Sequence, residues 1–496
     1  MKRILALLLT LVILCSLPSC GQRPADSDSS VSQPTDGSAD AYTLSDAVDS
    51  DTVINGVMTD ISSADPILKK TNPDWIDACV LYEVNIRQFT EEGTFAAFEG
   101  HLERLKSMGV NTLWLMPIHP ISQKNRQGSL GSYYAVTDYR AVNPEFGTME
   151  EFEHLLKTAH EMGFKVILDW VANHTGWDCE WLTSHDDWYV HNKNGEITSP
   201  FDWTDVAELD YDNYQMRYEM IDCMRYWIED IGVDGFRCDH VEGVPAPFWN
   251  AAVYKLKSVN ESILMLAESS ATPNLTSYAF DLCYNDSLYS QMIMLKGGIG
   301  ADGVKTSVRI GDNYAWGSYP MNYVDNHDKN SYEGSVVYRF GDGYPTMLAL
   351  EFLAPGLPLI YTSDEQAYDH EIEFFIKDTV KWDSQPQYAA MIAALAQMKS
   401  DHPALYTSNP GIEILDADNP DMLAFKRSLG GDTVIFIANT RYEAVKGVTV
   451  KADFDKLTCV MRYDGKKLSM DEAEMTAADF ESQDFPAYAF YVMIVK

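Results

Sequence analysis

Thr148 to Asp169 reads TMEEFEHLLKTAHEMGFKVILD, and this stretch decides the fold. Thr148 and Glu151 make a Thr-x-x-Glu capping box, the signature of a helix start. Met149, Phe152, Leu155, Leu156, Ala159 and Met162 recur at three- and four-residue spacing, which is one apolar helix face. Gly163 supplies the left-handed stop. Lys165-Val166-Ile167-Leu168-Asp169 follows as an apolar strand closed by an acid. The same grammar runs earlier through Phe98, Leu102, Leu105 and Met108, then Gly109, then Val110 to Met116. It returns in Met220, Met224, Trp227 and Ile231, then Gly232, then Val233 to Phe236. Apolar strands joined by helices imply a parallel sheet covered on both faces. Strands are predicted at 79–86, 110–117, 165–170, 233–238, 263–268, 279–284, 321–326 and 357–361. Eight of them favour a (β/α)8 TIM barrel, an α/β fold, over an open doubly wound sheet. No Gly-x-Gly-x-x-Gly or Walker-type loop follows any strand, which weighs against nucleotide binding.

Working outward, the barrel is assigned to 61–402. Its third unit carries a short insertion at 175–212 that holds Trp177, Trp181, Trp188 and Trp203 among Asp and Asn. Over 403–496 the grammar changes. Strand-like runs at 422–427, 433–438, 445–450, 458–463 and 486–495, split by turn residues, predict an antiparallel β-sandwich domain. Hydrophobic residues make up 46% and charged residues 22%, enough for a large packed core. The net charge of −37 excludes nucleic acid and anionic membrane surfaces as main partners. It does not repel a neutral ligand.

Residues 1–20 read as a signal peptide, with Lys2 and Arg3 before the apolar run Ile4 to Leu14. That run is too short to span a bilayer comfortably. Leu17-Pro18-Ser19-Cys20 resembles a bacterial lipobox, which would make Cys20 the lipidated first residue. Residues 21–60, rich in Ser, Asp, Ala and Thr, read as a flexible tether. The expected location is the outer face of the cell membrane, anchored by lipid alone. Cys79, Cys179, Cys223, Cys238, Cys283 and Cys459 fit no zinc spacing, and several lie in apolar runs as expected of buried thiols.

Chemistry in a barrel collects at the C-terminal ends of the strands. Asp169, Asp239, Glu268 and Asp328 each close an apolar strand, with Arg237, His174 and His327 beside them. A buried carboxylate is costly unless paired, so one alone would read as a cap or a salt bridge. Four at one end, without a Cys or Ser nucleophile, suit glycoside hydrolysis, in which one carboxyl protonates the leaving oxygen and another attacks. Metal-assisted hydrolysis competes, but His174 and His327 lack the spacing of common zinc sites.

These residues resemble the α-amylase family, family 13 of the glycoside hydrolases. Asp169-Trp170-Val171-Ala172-Asn173-His174 is similar to its D-x-V-x-N-H segment, and Gly235-Phe236-Arg237-Cys238-Asp239 to G-F-R-x-D. Glu268 closes a third segment, and Asn326-His327-Asp328 is similar to N-H-D. Tyr134 to Asp138, continuing through Asn143 to Thr148, and Gly356 to Tyr361 with Glu365, match more softly. The ordered set spans roughly residues 79–400.

The resemblance implies Asp239 as nucleophile, Glu268 as acid then base, and Asp328 as binder of sugar hydroxyls. His174 and His327 would bond the sugar, Tyr134 would stack on it, and Asp169 would support Arg237. Arg237 is expected to keep Asp239 ionised, and desolvation to raise Glu268. Asn173 is implied as a structural calcium ligand, while the chemistry itself needs no cofactor. After the nucleophile the chain departs from the pattern: Glu242 and Gly243 replace a Lys-His pair. Val244-Pro245 with Phe248-Trp249 resembles members that degrade cyclodextrins and short maltodextrins. The expected activity is retaining, endo-type cleavage of α-1,4 bonds in starch or maltodextrins. Cyclomaltodextrinase or neopullulanase-like action, exo α-glucosidase or transglycosylase action, and a non-catalytic glucan-binding surface protein are the rivals.

Overall fold

The structure is a computed structural model that describes residues 71–270, 279–309, 314, 317–451, 454 and 456–495. The signal peptide, Cys20, the tether and the first ten residues of the predicted barrel region lie outside the described residues.

All eight predicted strands form, as β1 (Leu81–Val84), β2 (Thr112–Leu115), β3 (Lys165–Trp170), β4 (Gly235–Cys238), β5 (Leu264–Ser270), β6 (Leu282–Tyr284), β7 (Tyr319–Tyr323) and β8 (Leu357–Tyr361). Each pairs in parallel with its sequence neighbours, and β8 pairs with β1 to close the barrel. Strands β1, β2, β4 and β8 are buried at every residue. Closure brings β4 hard against β5. Gly235 sits at φ 144°, and a Cβ there would lie 2.0 Å from the Leu264 carbonyl oxygen, so only glycine fits.

The deciding stretch folds as read. The helix Met149–Glu161 starts at a complete capping box, in which Thr148 N donates to Glu151 Oε2 at 2.8 Å and Glu151 N to Thr148 Oγ1 at 3.3 Å. Phe152, Leu155, Leu156 and Ala159 are buried, and Gly163 takes φ 84°. The earlier unit differs, because two short helices, Phe95–Glu99 and Leu102–Ser107, replace one, with Gly100 at the break. The later unit ends its helix Tyr214–Tyr226 in a wider turn, Trp227–Ile231, stopped by Gly232 at φ 90°.

In the insertion, His174–Gly176 pairs antiparallel with Val206–Glu208. At the C-terminus, the strands Glu413–Ile414, Met422–Leu429, Asp432–Asn439, Phe490–Val495, Leu457–Tyr463 and Leu468–Ser469 lie side by side in that order. A ribbon of Val445–Val448 and Gln483–Phe485 is the other layer. Leu415, Met422, Ile435, Val448, Phe480 and Phe485 share the core between them. The run predicted as strand from 486 begins at 490. Pro486 has no N–H to give a ladder, and Tyr488 stands at φ 54°.

Buried Arg427 ties the sheet to the barrel, with no carboxylate partner among the described residues. It donates to Ala354 O at 3.2 Å and Tyr406 O at 3.1 Å, and burial pushes its pKa down to about 9. The six expected thiols are buried.

Candidate active site

The C-terminal ends of β3, β4 and β5 converge on one buried cation. Arg237, in β4, has no solvent exposure. Its Nη1 lies 2.8 Å from Asp169 Oδ1 and 3.0 Å from Asp239 Oδ1. Its Nη2 lies 3.0 Å from Glu268 Oε2, an ion pair without hydrogen-bond alignment. Its Nε donates to the Tyr284 hydroxyl at 3.1 Å. One guanidinium thus holds three of the four predicted carboxylates.

Glu268 sits where the β5–β6 register shifts, between the pairs Ala267–Cys283 and Ser270–Tyr284. Such an irregularity re-aims a side chain. Here it brings the Glu268 carboxylate to the β4 end, where His240 N donates to it at 2.7 Å. His240 adopts φ 42° to present that N–H. Asp239 is 12% exposed and Glu268 28%.

Behind them, Asp169 Oδ2 accepts from Trp114 Nε1 at 3.1 Å and from the Tyr134 hydroxyl at 3.0 Å. The same hydroxyl lies 2.8 Å from His327 Nε2. His327 Nδ1 lies 2.5 Å from Glu83 Oε1. Asp328, in the first turn of the helix His327–Glu333 capped by Asn326, is 41% exposed and lies 3.5 Å from His327 Nε2. It does not touch Arg237. His174 and Asn173 sit deeper, joined by an Asn173 Nδ2–His174 Nδ1 contact of 3.2 Å. Tyr134 is nearly buried, with its ring stacked near His327 and Phe374. Glu365 faces elsewhere, paired with Arg104 and with Tyr82.

The charges are unequal. Burial alone would lower His327, but Asp328 and Glu83 outweigh it and hold it at about 9. Burial, then nearby His240, keeps His174 neutral at about 3. Burial pushes Asp239 well above the usual carboxylate range, the Glu268 charge adds to it, and Arg237 only partly offsets both. Burial acts on Glu268 too, yet Arg237 and the His240 N–H hold it below its ordinary value. This reverses the expected order. The sequence shows the apolar run before Glu268 but not the backbone donor that the register shift brings to it. The two carboxyls lie close enough to titrate as a pair.

The residues lead into a cavity of about 260 Å3 lined by His240, Glu242, Glu268, Ser269, Tyr284 and Asp328. Phe248 and Trp249 do not line it. They are buried, with the Trp249 indole donating to Val241 O at 3.1 Å. Sequence reading missed Glu83, which lies one residue before the end of β1. It also missed Trp114, Tyr284 and the His240 N–H.

Calcium needs several oxygen ligands, commonly carboxylates. Among the described residues no cluster of three or more His, Cys, Asp or Glu side chains suits a metal. A Cβ on Gly243 would lie 2.4 Å from Asn173 Oδ1, so backbone already packs against that oxygen. Among the described residues, the side chains around Asn173 do not by themselves fit a calcium site.

The family model for the α-amylase catalytic domain matches residues 68–208 and 184–260. An α-amylase from Haloarcula japonica is 26% identical over 80% of this chain and 61% of its own length. Over residues 68–260 this chain is similar to the α-amylase catalytic domain. Among solved structures of the family, a maltogenic α-amylase from Thermotoga neapolitana is 27% identical with a TM-score of 0.75, over 84% of this chain and 99% of that one. An α-amylase from Lactobacillus plantarum is 26% identical at the same TM-score, with the same coverage. The chain spans less than two thirds of the length of the first curated relatives it matches.

Proposed function

We propose that the chain cleaves α-1,4-glucosidic bonds of starch or maltodextrins with retention, through a glycosyl-enzyme on Asp239. One observation carries this reading: the Arg237 guanidinium holds Asp239 and Glu268 together at the mouth of a cavity, on adjacent strands. Retention requires two such carboxyls close together, one to attack and one to protonate.

A sugar whose anomeric carbon gains positive charge favours an ionised Asp239 beside it. The proton of the pair then belongs to Glu268, which delivers it to the leaving oxygen as Asp239 Oδ attacks. Glu268, now a carboxylate, takes a proton from water, whose oxygen displaces Asp239. Asp328 receives sugar hydroxyls at the rim, and protonated His327 donates to another. His174 is neutral and offers a hydrogen bond without adding charge. Tyr134 borders the ring, and Asp169 anchors Arg237. Asp239→Asn or Glu268→Gln, assayed on an aryl α-maltoside, is expected to lower kcat by at least about 10²-fold. Near-wild-type activity in either refutes the assignment.

Export and lipid anchoring through Cys20 belong to the same proposal, supported by the Leu17-to-Cys20 pattern. Cys20→Ser is expected to move the protein from the membrane to the soluble fraction. Unchanged partitioning rules the anchor out.

A further inference from the structure

Asp328 is the least anchored carboxylate of the site. Asp169, Asp239 and Glu268 lie within 3.0 Å of Arg237. Asp328 pairs with no Lys or Arg among the described residues, and its contact with His327 Nε2 is 3.5 Å long. Its side chain is 41% exposed. Contacts of that side chain do not fix where it stands, so its place comes from the backbone that carries it.

That backbone is the turn Val324 to Asp328, which follows β7. Both polar groups of Val324 are taken by buried charged residues. Its N–H donates to Glu351 Oε2 at 3.0 Å, and its carbonyl accepts from Arg339 Nη1 at 2.6 Å. Asp325 Oδ1 accepts from Arg339 Nη2 and, at 3.0 Å, from Asn326 N. Its Oδ2 accepts from Asn330 Nδ2 at 3.3 Å. Arg339 Nε donates to Gly334 O at 2.7 Å, just past the far end of the helix His327–Glu333. Nη1 also donates to the Tyr289 hydroxyl at 3.1 Å, which in turn donates to Glu333 Oε2 at 2.7 Å. One guanidinium therefore ties the entry and the exit of a seven-residue helix, too short to hold its own direction.

The clamp is deep. Arg339 is 4% exposed, and Glu351 lies in the helix Tyr344–Leu353, buried at every residue. Burial lifts Asp325 to about 6, and Arg339 keeps it from rising further. Burial pushes Asp364 well above the usual carboxylate range and Asp325 adds to it, so the Arg339 charge answers Asp325. A buried ion pair seldom stabilises more than apolar side chains of equal volume would, so its presence here points to geometry. A guanidinium presents its N–H groups in a rigid planar fork, which an ammonium lacks.

We propose that Arg339 is a positioning residue for the reaction: it fixes the Val324–Asp328 turn and thereby sets where the Asp328 carboxylate meets the sugar. The inference rests on the role proposed for Asp328.

The test compares four full-length proteins: wild type, Arg339→Lys, Asp328→Asn and the double variant. The substrate is α-maltosyl fluoride, whose leaving group departs readily enough to make slow variants measurable. Fluoride release gives kcat and KM, and melting curves report folding. Arg339→Lys is expected to lower kcat by about ten- to 10²-fold, with KM changed less than about threefold. In the Asp328→Asn background the same change is expected to lower kcat by less than about twofold, because the group it positions is already lost. Asp325→Asn, which removes one arm of the clamp, is expected to show the same dependence on Asp328, and it carries the test if Arg339→Lys does not fold. An equal loss of kcat in both backgrounds shows a general structural role and overturns the proposal. An unchanged kcat in Arg339→Lys also overturns it. Wild-type activity in Asp328→Asn removes the role of Asp328 itself, and this inference with it.

Discussion

Arg237→Met isolates the charge balance on which the site depends. The guanidinium lies 2.8, 3.0 and 3.0 Å from three carboxylates. Each contact is an attraction of roughly 5 kcal/mol at an effective dielectric constant near 20, most of it offset by desolvation. Removing one partner of such a buried pair costs about 3–5 kcal/mol, because the charges left behind have nothing to face. Methionine fills similar space, so the loss is electrostatic. Without Arg237, the folded-state pKa values of Asp169 and Asp239 rise further above their unfolded values, and that of Glu268 rises from below its ordinary value. A raised carboxylate binds more protons folded than unfolded, so its penalty is full at neutral pH and fades as pH falls through the folded value. Melting curves of both proteins from pH 5 to 8 test this. The variant is expected to melt far below the wild type at pH 8 and to close much of the gap by pH 5. A melting difference equal at both ends would show that Arg237 serves packing rather than charge, and would refute the reasoning.

Other perturbations reach other parts of the account. His327 is held at about 9, so its contribution to stability is complete below about pH 6.5 and lost as pH rises to 9. Glu83→Gln removes one of its two supporting carboxylates. The melting temperature of the variant is expected to fall less steeply than that of the wild type across this window, and an identical slope counts against the pairing. Gly235→Ala would place a methyl 2.0 Å from Leu264 O and is expected to abolish soluble expression of folded barrel, whereas a variant that melts like the wild type contradicts the close approach. Excess chelator is expected to leave both melting temperature and activity unchanged. A drop restored by calcium would show that backbone oxygens complete a site around Asn173.

Sequence reached the barrel because a strand buried on both faces and a helix buried on one leave different periods. Thr148 to Asp169 shows both, and closure by eight strands follows from repetition. It reached the carboxylates because an acid after an apolar run is conspicuous. It passed over Glu83, whose strand is only four residues long and continues to an apolar Val84. The protonation order of Asp239 and Glu268 was not legible, since it turns on Arg237 Nη2 and the His240 N–H, which meet Glu268 only through the β5–β6 register shift. Phe248 and Trp249, part of the stretch that resembles cyclodextrin-degrading members, do not line the cavity. They pack inward under Val241 because an amphipathic helix, Ala246–Val259, buries that face.

The anomeric form of the first-formed product tests the central claim most directly. Proton NMR recorded in the first minutes of maltodextrin cleavage, before mutarotation, is predicted to show the α-anomer at each new reducing end. An initial β-anomer would mean single displacement by water and would contradict a glycosyl-enzyme on Asp239.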